Sequence, residues 1–351
     1  MAGVELWTLG VASPRSVAGA AARAEEAGWD GFAVVDSQNL SGDCYVALAV
    51  AAAETEAIRL GTGVTNPVTR HPAVAASAIA SIQALSGGRA VLGIGRGDSA
   101  LAHLGRAPAP VSVLERYVDV LQRYLRGEPV PFEQLEFQEA GVAPVESLGL
   151  AGVPDASRIA VVRPGAPKVP VEVAATGPKV IGLAGRLADR VLLAVGADPE
   201  RVAWGMATAR EERPDVPVGA FVNVVAHPDT GTARALVAGG LATFARFNVM
   251  HGRSGGPMDP ADRDVLGNLR RAYDMTHHTE VGSPQTGALT TDFVDRFGVA
   301  GPPDHCVRRL RALIELGIGK LVIIGPTAGA DRDEAARSLR LMVDEVLPEL
   351  R

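Results

Sequence analysis

Cysteine is almost missing from this sequence: Cys44 and Cys306 stand alone, with no CxxC pair. That excludes a disulfide framework and leaves a structural zinc site without ligand spacing, so a reducing compartment, the cytoplasm, is expected. The 7 histidines, at positions 71, 103, 227, 251, 277, 278 and 305, show neither HxH nor HExxH spacing, so no metal is expected. The adjacent pair His277-His278 is expected on a solvated surface. Positive charge is not in excess either. Lys plus Arg is 34 against 40 Asp plus Glu, and no basic stretch is interleaved with aromatics, so nucleic acid is not an expected partner. No run approaches ~18 apolar residues, which argues against a membrane span. The start of the chain lacks the basic and apolar regions of an export signal. Ser13, Ser99 and Ser157 have no GxSxG context, which removes a serine hydrolase. Cys44 opens a helical stretch and reads as a small buried residue.

What is present is a core-forming composition, 47% hydrophobic and 21% charged, in a regular alternation. Short β-branched runs at Val4–Leu9, Gly31–Val35, Ile58–Val64 and Arg89–Ile94 alternate with Ala/Leu-rich segments of helical period, the first opening at Ser13-Pro14. The rhythm resumes at Val169–Ala174, Arg190–Ala194 and Val218–Val225, and ends with Lys320–Ile324 and a last helix. Two stretches punctuated by Gly and Pro, 127–168 and 250–304, interrupt it as insertions. Removing them leaves roughly 250 residues, the size of an eight-stranded β/α barrel. The expected fold class is therefore α/β, a single (β/α)8 TIM-type barrel over residues 1–351 with two insertions.

Such a barrel places its chemistry at the carboxyl ends of the strands. Strand two ends in Asp36-Ser37, where a carboxyl group can hold a ring N–H or tune a proton. Strand three runs through Gly63 and Val64 into Thr65-Asn66-Pro67. Strand four ends in Gly95-Arg96-Gly97-Asp98, whose glycines let backbone amides approach an anion. Strand five ends in Thr176-Gly177-Pro178-Lys179, a helix start offering free amides and an ammonium group. Strand six ends at Gly196. Each glycine junction also reads as an ordinary βα turn, and Asp36 as a loop-capping Asx turn.

The segments VVDSQN, LGTGVTNPVTRHPAVAASAIASIQALSGGRAVLGIGRGDSA and AATGPKVIGLAGRLADRVLL resemble the luciferase-like family, in particular its deazaflavin-dependent oxidoreductases such as methylenetetrahydromethanopterin reductase. The resemblance covers roughly residues 3–126 and 169–196, and more weakly 296–349. It implies a barrel with coenzyme F420, or alternatively FMN, across the carboxyl rim, and a homodimer. It implies a non-proline cis peptide at Gly63–Val64 backing the ring. Phosphate contacts are implied at Arg96, Gly97 and Asp98 and at Gly177, Pro178 and Lys179. Glu5 resembles a glutamate that faces the rim and assists proton placement, its plain alternative being a surface carboxylate. Many F420-dependent members carry Asp-His where this chain has Asp36-Ser37, so a reaction needing that histidine is not expected.

The function expected is hydride exchange between the deazaflavin C5 and a small organic substrate. Glu5 and Asp36 are the expected catalytic residues. Asp36, Gly63, Val64, Thr65, Asn66, Gly95, Arg96, Gly97, Asp98, Thr176, Gly177, Pro178, Lys179 and Gly196 are expected around the cofactor, with Arg70 and Lys179 meeting an acidic tail. An FMN-dependent monooxygenase is the alternative, and a non-catalytic flavin-binding protein is the alternative from another class.

Overall fold

The computed structural model describes residues 3–13, 15–135, 142–163 and 165–351. Its sheet is wholly parallel: β1 (Glu5–Gly10), β2 (Gly31–Val34), β3 (Arg59–Thr62), β4 (Ala90–Ile94), β5 (Val171–Ala175), β6 (Arg190–Leu193), β7 (Val218–Ala226), β8 (Val299–Gly301) and β9 (Lys320–Ile324). β6 pairs with β5 and β7, and β9 pairs with β7 and β1, so eight strands close into a barrel. These are the eight that the alternation predicts. β8 lies outside the ring, against the end of β7, with Val224 opposite Val299. The sequence reading misses it because three residues carry no period.

Helices cover the barrel: α1 (Val17–Glu26), α2 (Cys44–Ala53), α3 (Pro72–Leu85), the short α4 (Ser99–Ala102), α5 (Val111–Leu125), α6 (Pro178–Leu187) and α7 (Pro199–Glu212). Then follow α8 (Thr230–Phe247), α9 (Pro260–Ala272), α10 (Thr291–Phe297), α11 (Pro303–Glu315) and α12 (Arg332–Leu341). α1 starts later than expected. The Ser13 carbonyl accepts the amides of Ser16 and Val17 in a turn ahead of the helix, and Pro14 lies outside the described residues. The first insertion carries short 3-10 turns at Phe132–Gln134 and Val145–Leu148 and a bridge from Val130 to Ser157, residues 136–141 lying outside the described set.

The second insertion is more ordered than its Gly and Pro content suggests, since it supplies α9, α10 and β8. One buried guanidinium ties it down. Arg201 on α7 donates to the carbonyls of Val195, Gly255 and Pro257 and to Asn248 Oδ1. Buried donors need such partners, and here they join a barrel strand end, α8 and the insertion.

Inside the barrel, Trp7, Val91, Leu192, Phe221 and Val322 form the middle of the plug. Gly31 must be glycine, because a Cβ there would fall on the Trp7 ring. Beneath the indole, at the amino end of the barrel, lies an ionic floor. Lys320 Nζ sits 3.2 Å from the Trp7 ring centroid and donates to Glu172 Oε2 at 2.6 Å. Burial lowers the Lys320 pKa to about 8 despite the attraction of Glu172. Glu5 belongs to this floor, bonded to Arg190 at 2.6 Å, Arg59 at 3.4 Å and Trp7 Nε1 at 3.1 Å. The expectation that Glu5 faces the catalytic rim is therefore corrected. A residue that opens a strand lies at the opposite mouth from the loops that follow the strands.

Two stability tests follow from this packing. A Cβ at Gly93 would collide with the Thr62 carbonyl oxygen, whereas one at Gly287 meets nothing within 4 Å. Urea denaturation should show Gly93→Ala losing about 1–3 kcal/mol while Gly287→Ala loses nothing. Equal effects would discard the steric account. Lys320 and Glu172 are 1% and 4% exposed, so Glu172→Gln alone should cost about 3–5 kcal/mol by stranding the ammonium, and adding Lys320→Met should restore most of it. A double variant no better than the single would contradict the pairing.

Candidate active site

At the opposite mouth, the ends of β2 and β3 bring together the polar residues picked out in the sequence. Asp36 is 3% exposed. Its Oδ2 accepts from Thr65 Oγ1 and from Arg70 Nη1, both at 2.6 Å. Arg70 reaches on to Asp43 Oδ2 at 2.7 Å, and Asp43 caps α2 through the amides of Tyr45 and Val46. Asn66 Oδ1 accepts the amides of Val68 and Thr69, fixing the turn after β3. What remains over is informative. Asp36 Oδ1 and Asn66 Nδ2 are buried with no hydrogen-bond partner among the described residues. A stranded buried polar atom costs about 1–3 kcal/mol, so an acceptor and a donor left open at neighbouring strand ends mark a place for a ligand with both.

Between them, the Gly63–Val64 peptide is cis, as the resemblance implies. Gly63 can have no side chain, since a Cβ would stand 2.6 Å from Leu9 Cδ1 and 2.9 Å from Ala33 Cβ. Val64, Leu9, Ala174, Ile324 and Phe244 are only partly buried where they cap the barrel plug, so the mouth is floored by accessible apolar surface. Cys44 lies next to this cluster but is fully buried, and burial followed by the nearby Asp36 pushes its thiol pKa up, which removes it as a nucleophile.

The two glycine junctions lie side by side, because β4 pairs with β5 and the Gly95 Cβ position is 3.6 Å from Ala174 Cβ. Gly97 has φ +82° and packs its backbone on Leu101 and Asn66. Arg96 Nε donates to the Ala109 carbonyl, and Arg96 Nη1 lies 2.9 Å from His251 Nε2. Gly177 precedes α6, whose first turn no side chain caps; Pro178 packs on Gly255 and Lys179 is exposed. Thr176 Oγ1 donates to the Phe247 carbonyl at 3.3 Å. Gly196 departs from expectation: its φ of +88° serves packing, with the Phe297 ring covering the face where a Cβ would stand.

Several site residues were invisible in the sequence because they come from α8 and the second insertion. Arg246 pairs with Asp98 and lies 4.4 Å over the Tyr273 ring. Tyr273 bonds Thr243 and His278. His277 is exposed as expected, but His278 is not: it is three-quarters buried beside Asp98, Arg246 and His103. His251, flanked by Arg96 and Arg270, has its pKa lowered by burial and then by those two cations. Among the described residues neither arginine has a carboxylate partner, and no group of His, Cys, Asp and Glu could hold a metal.

Comparison with known proteins agrees with this geometry. The family model described as luciferase-like monooxygenase matches residues 3–320. The chain is 28% identical over 324 residues to 5,10-methylenetetrahydromethanopterin reductase of Methanolobus tindarius, covering 90% of this chain and 91% of the relative. It is 30% identical over 366 residues to the F420-dependent glucose-6-phosphate dehydrogenase of Beutenbergia cavernae, covering 97% and 94%. In fold it is similar to the coenzyme F420 dependent tetrahydromethanopterin reductase of Methanopyrus kandleri, with a TM-score of 0.72, 23% identity and 100% of both chains covered. The parallel barrel, the open polar pair at its carboxyl mouth and these matches place the chain in the luciferase-like family of enzymes, alongside its F420-dependent oxidoreductases.

Proposed function

We propose that this protein is a coenzyme F420-dependent oxidoreductase that exchanges hydride with a small organic substrate at the carboxyl mouth of the barrel. The observation that carries the reading is the pair of unmet buried atoms, Asp36 Oδ1 and Asn66 Nδ2, on either side of Gly63–Val64 and above accessible apolar surface. A deazaflavin ring has an apolar flat body and a pyrimidine edge with both N–H and C=O groups, which suits one acceptor and one donor. When bound, the cofactor supplies a carbon that takes or gives hydride, and the protein supplies orientation and exclusion of water.

In this reading Asp36 and Asn66 hold the ring edge, and Thr65 and Arg70 keep Asp36 in place. The backbone of Gly95 and Gly97, the open first turn of α6 and the Arg96–Arg270 pair receive the anionic tail. Lys179 is exposed and suits the acidic extension rather than the phosphate. Fluorescence titration of the purified chain should show F420 binding, and Asn66→Asp, which replaces the open donor by an acceptor, should weaken it about 10- to 100-fold. Tight FMN binding without F420 binding would replace this reading by an FMN-dependent monooxygenase.

The same proposal includes a homodimer through α2 and α3. Neither helix, CYVALAVAAA or PAVAASAIASIQAL, contains a charged residue, although both lie on the outside of the barrel. Val46 and Val74 on them are 53% and 56% exposed. A surface helix that is apolar all round is buried against something else, and a self-complementary face suits a second copy. No helix among the described residues is long and apolar enough to cross a membrane. Light scattering should give about twice the chain mass of 36.3 kDa, and Val46→Arg with Val74→Arg should halve it. A wild-type monomer would end the dimer proposal.

A further inference from the structure

The polar residues above the mouth form a directed chain that ends on an imidazole. Thr243 Oγ1 donates to the Gly239 carbonyl at 3.2 Å and lies 3.0 Å from Tyr273 OH, which lies 2.7 Å from His278 Nδ1. A carbonyl only accepts, and a hydroxyl has one proton. All three contacts are hydrogen bonds together in one direction alone: Thr243 donates to Gly239, Tyr273 donates to Thr243, and His278 donates from Nδ1 to Tyr273. Nε2 is then left with its lone pair. Among the described residues it has no partner.

The position of this nitrogen is set by backbone as well as by hydrogen bonds. Segment 273–280 reaches across the mouth, tied on one side through Tyr273 and Arg246 to Asp98 and on the other by a bridge from Glu280 to Ala328. Thr279, next to His278, has φ +62° and is the one non-glycine residue with positive φ among those described. A β-branched side chain is an outlier there, and such conformations persist where the surroundings overdetermine them, often at sites of function. The charged or titratable groups facing His278 are Asp98 after β4, His103 after α4, Arg246 on α8 and Tyr273 after α9. Burial lowers its pKa to about 4, with Asp98 opposing and Arg246 and His103 adding to the fall. The ring is thus neutral at neutral pH.

We propose that His278 Nε2 accepts the proton of a substrate O–H or N–H group while the adjacent carbon gives up hydride, and that Tyr273 is the positioning residue that keeps Nε2 unprotonated. The inference rests on the oxidoreductase reading above. The substrate class is an alcohol or amine with hydrogen on the carbon bearing the heteroatom. Its C–H bond breaks with the electron pair passing as hydride to the oxidised deazaflavin, its X–H proton passes to Nε2, and a C=X bond forms. The imidazolium then returns the proton to solvent, favoured by its low pKa. This supplies from the insertion the proton acceptor that Ser37 cannot provide at the end of β2.

Two measurements test it. Nitrogen–proton NMR correlations of the histidine-labelled full chain at pH 7, assigned with His278→Gln, should show the Nδ1–H tautomer. Tyr273→Phe should release that selection into a mixture. An Nε2–H tautomer in the wild type, or one indifferent to Tyr273→Phe, overturns the proposal. In the second, oxidised F420 is mixed with a panel of secondary alcohols and secondary amines, and its reduction is followed by absorbance. His278→Gln should lower kcat by about 100-fold or more with F420 affinity unchanged. Undiminished turnover in that variant, or wild-type turnover confined to carbonyls and imines with reduced F420, overturns it. Failure of the wild type to bind F420 would instead defeat the cofactor reading, leaving the tautomer result to stand by itself.

Discussion

A single indole ring on the barrel axis separates the two ends of this molecule. Trp7 occupies space that glycine at position 31 leaves free, and its π-face carries the buried ammonium of Lys320. An ammonium taken out of water needs counter-charge and a polarisable surface, and the floor provides both in Glu172 and Trp7. Above the indole the plug is wholly apolar until the strand ends, so ions are confined to the floor and ligand chemistry to the mouth. Every functional residue argued for here owes its surroundings to that division.

The mouth is built in two halves with different physical characters. The half formed by β2, β3 and β4 is short, glycine-rich backbone with few rotatable side chains, suited to holding a flat ring. The other half, α8 and the second insertion, contributes long side chains joined through charge and hydroxyl bonds: Asp98 with Arg246, Arg246 over Tyr273, and Tyr273 with Thr243 and His278. The first half is suited to recognising a constant cofactor and the second to recognising a variable substrate, consistent with loop variation being how barrels change their chemistry.

The same division explains what could be read from the residues alone. Buried parallel strands write themselves as β-branched runs, so the eight barrel strands and the loops after them were legible, as was the polar set around Asp36 and Asn66. The cis peptide at Gly63–Val64 came from family likeness rather than from any local rule. Glu5 was misjudged because alternation shows which face a strand residue takes but family likeness had assigned it the wrong end. Gly196 looked like a ligand contact because a positive φ serves packing and binding alike. Tyr273, His278 and Arg246 left no pattern, since their association depends on tertiary contacts between segments of no regular period.

The anchoring of the second insertion has its own consequence. Arg201 gathers carbonyls from three places that are remote in sequence, and Phe297 lies against Gly196. Because attachment is concentrated at these two points, most of the roof is free to drift in sequence without loosening from the barrel. Selectivity can therefore diversify across relatives as a cassette, while the hydride-handling base beneath it stays the same.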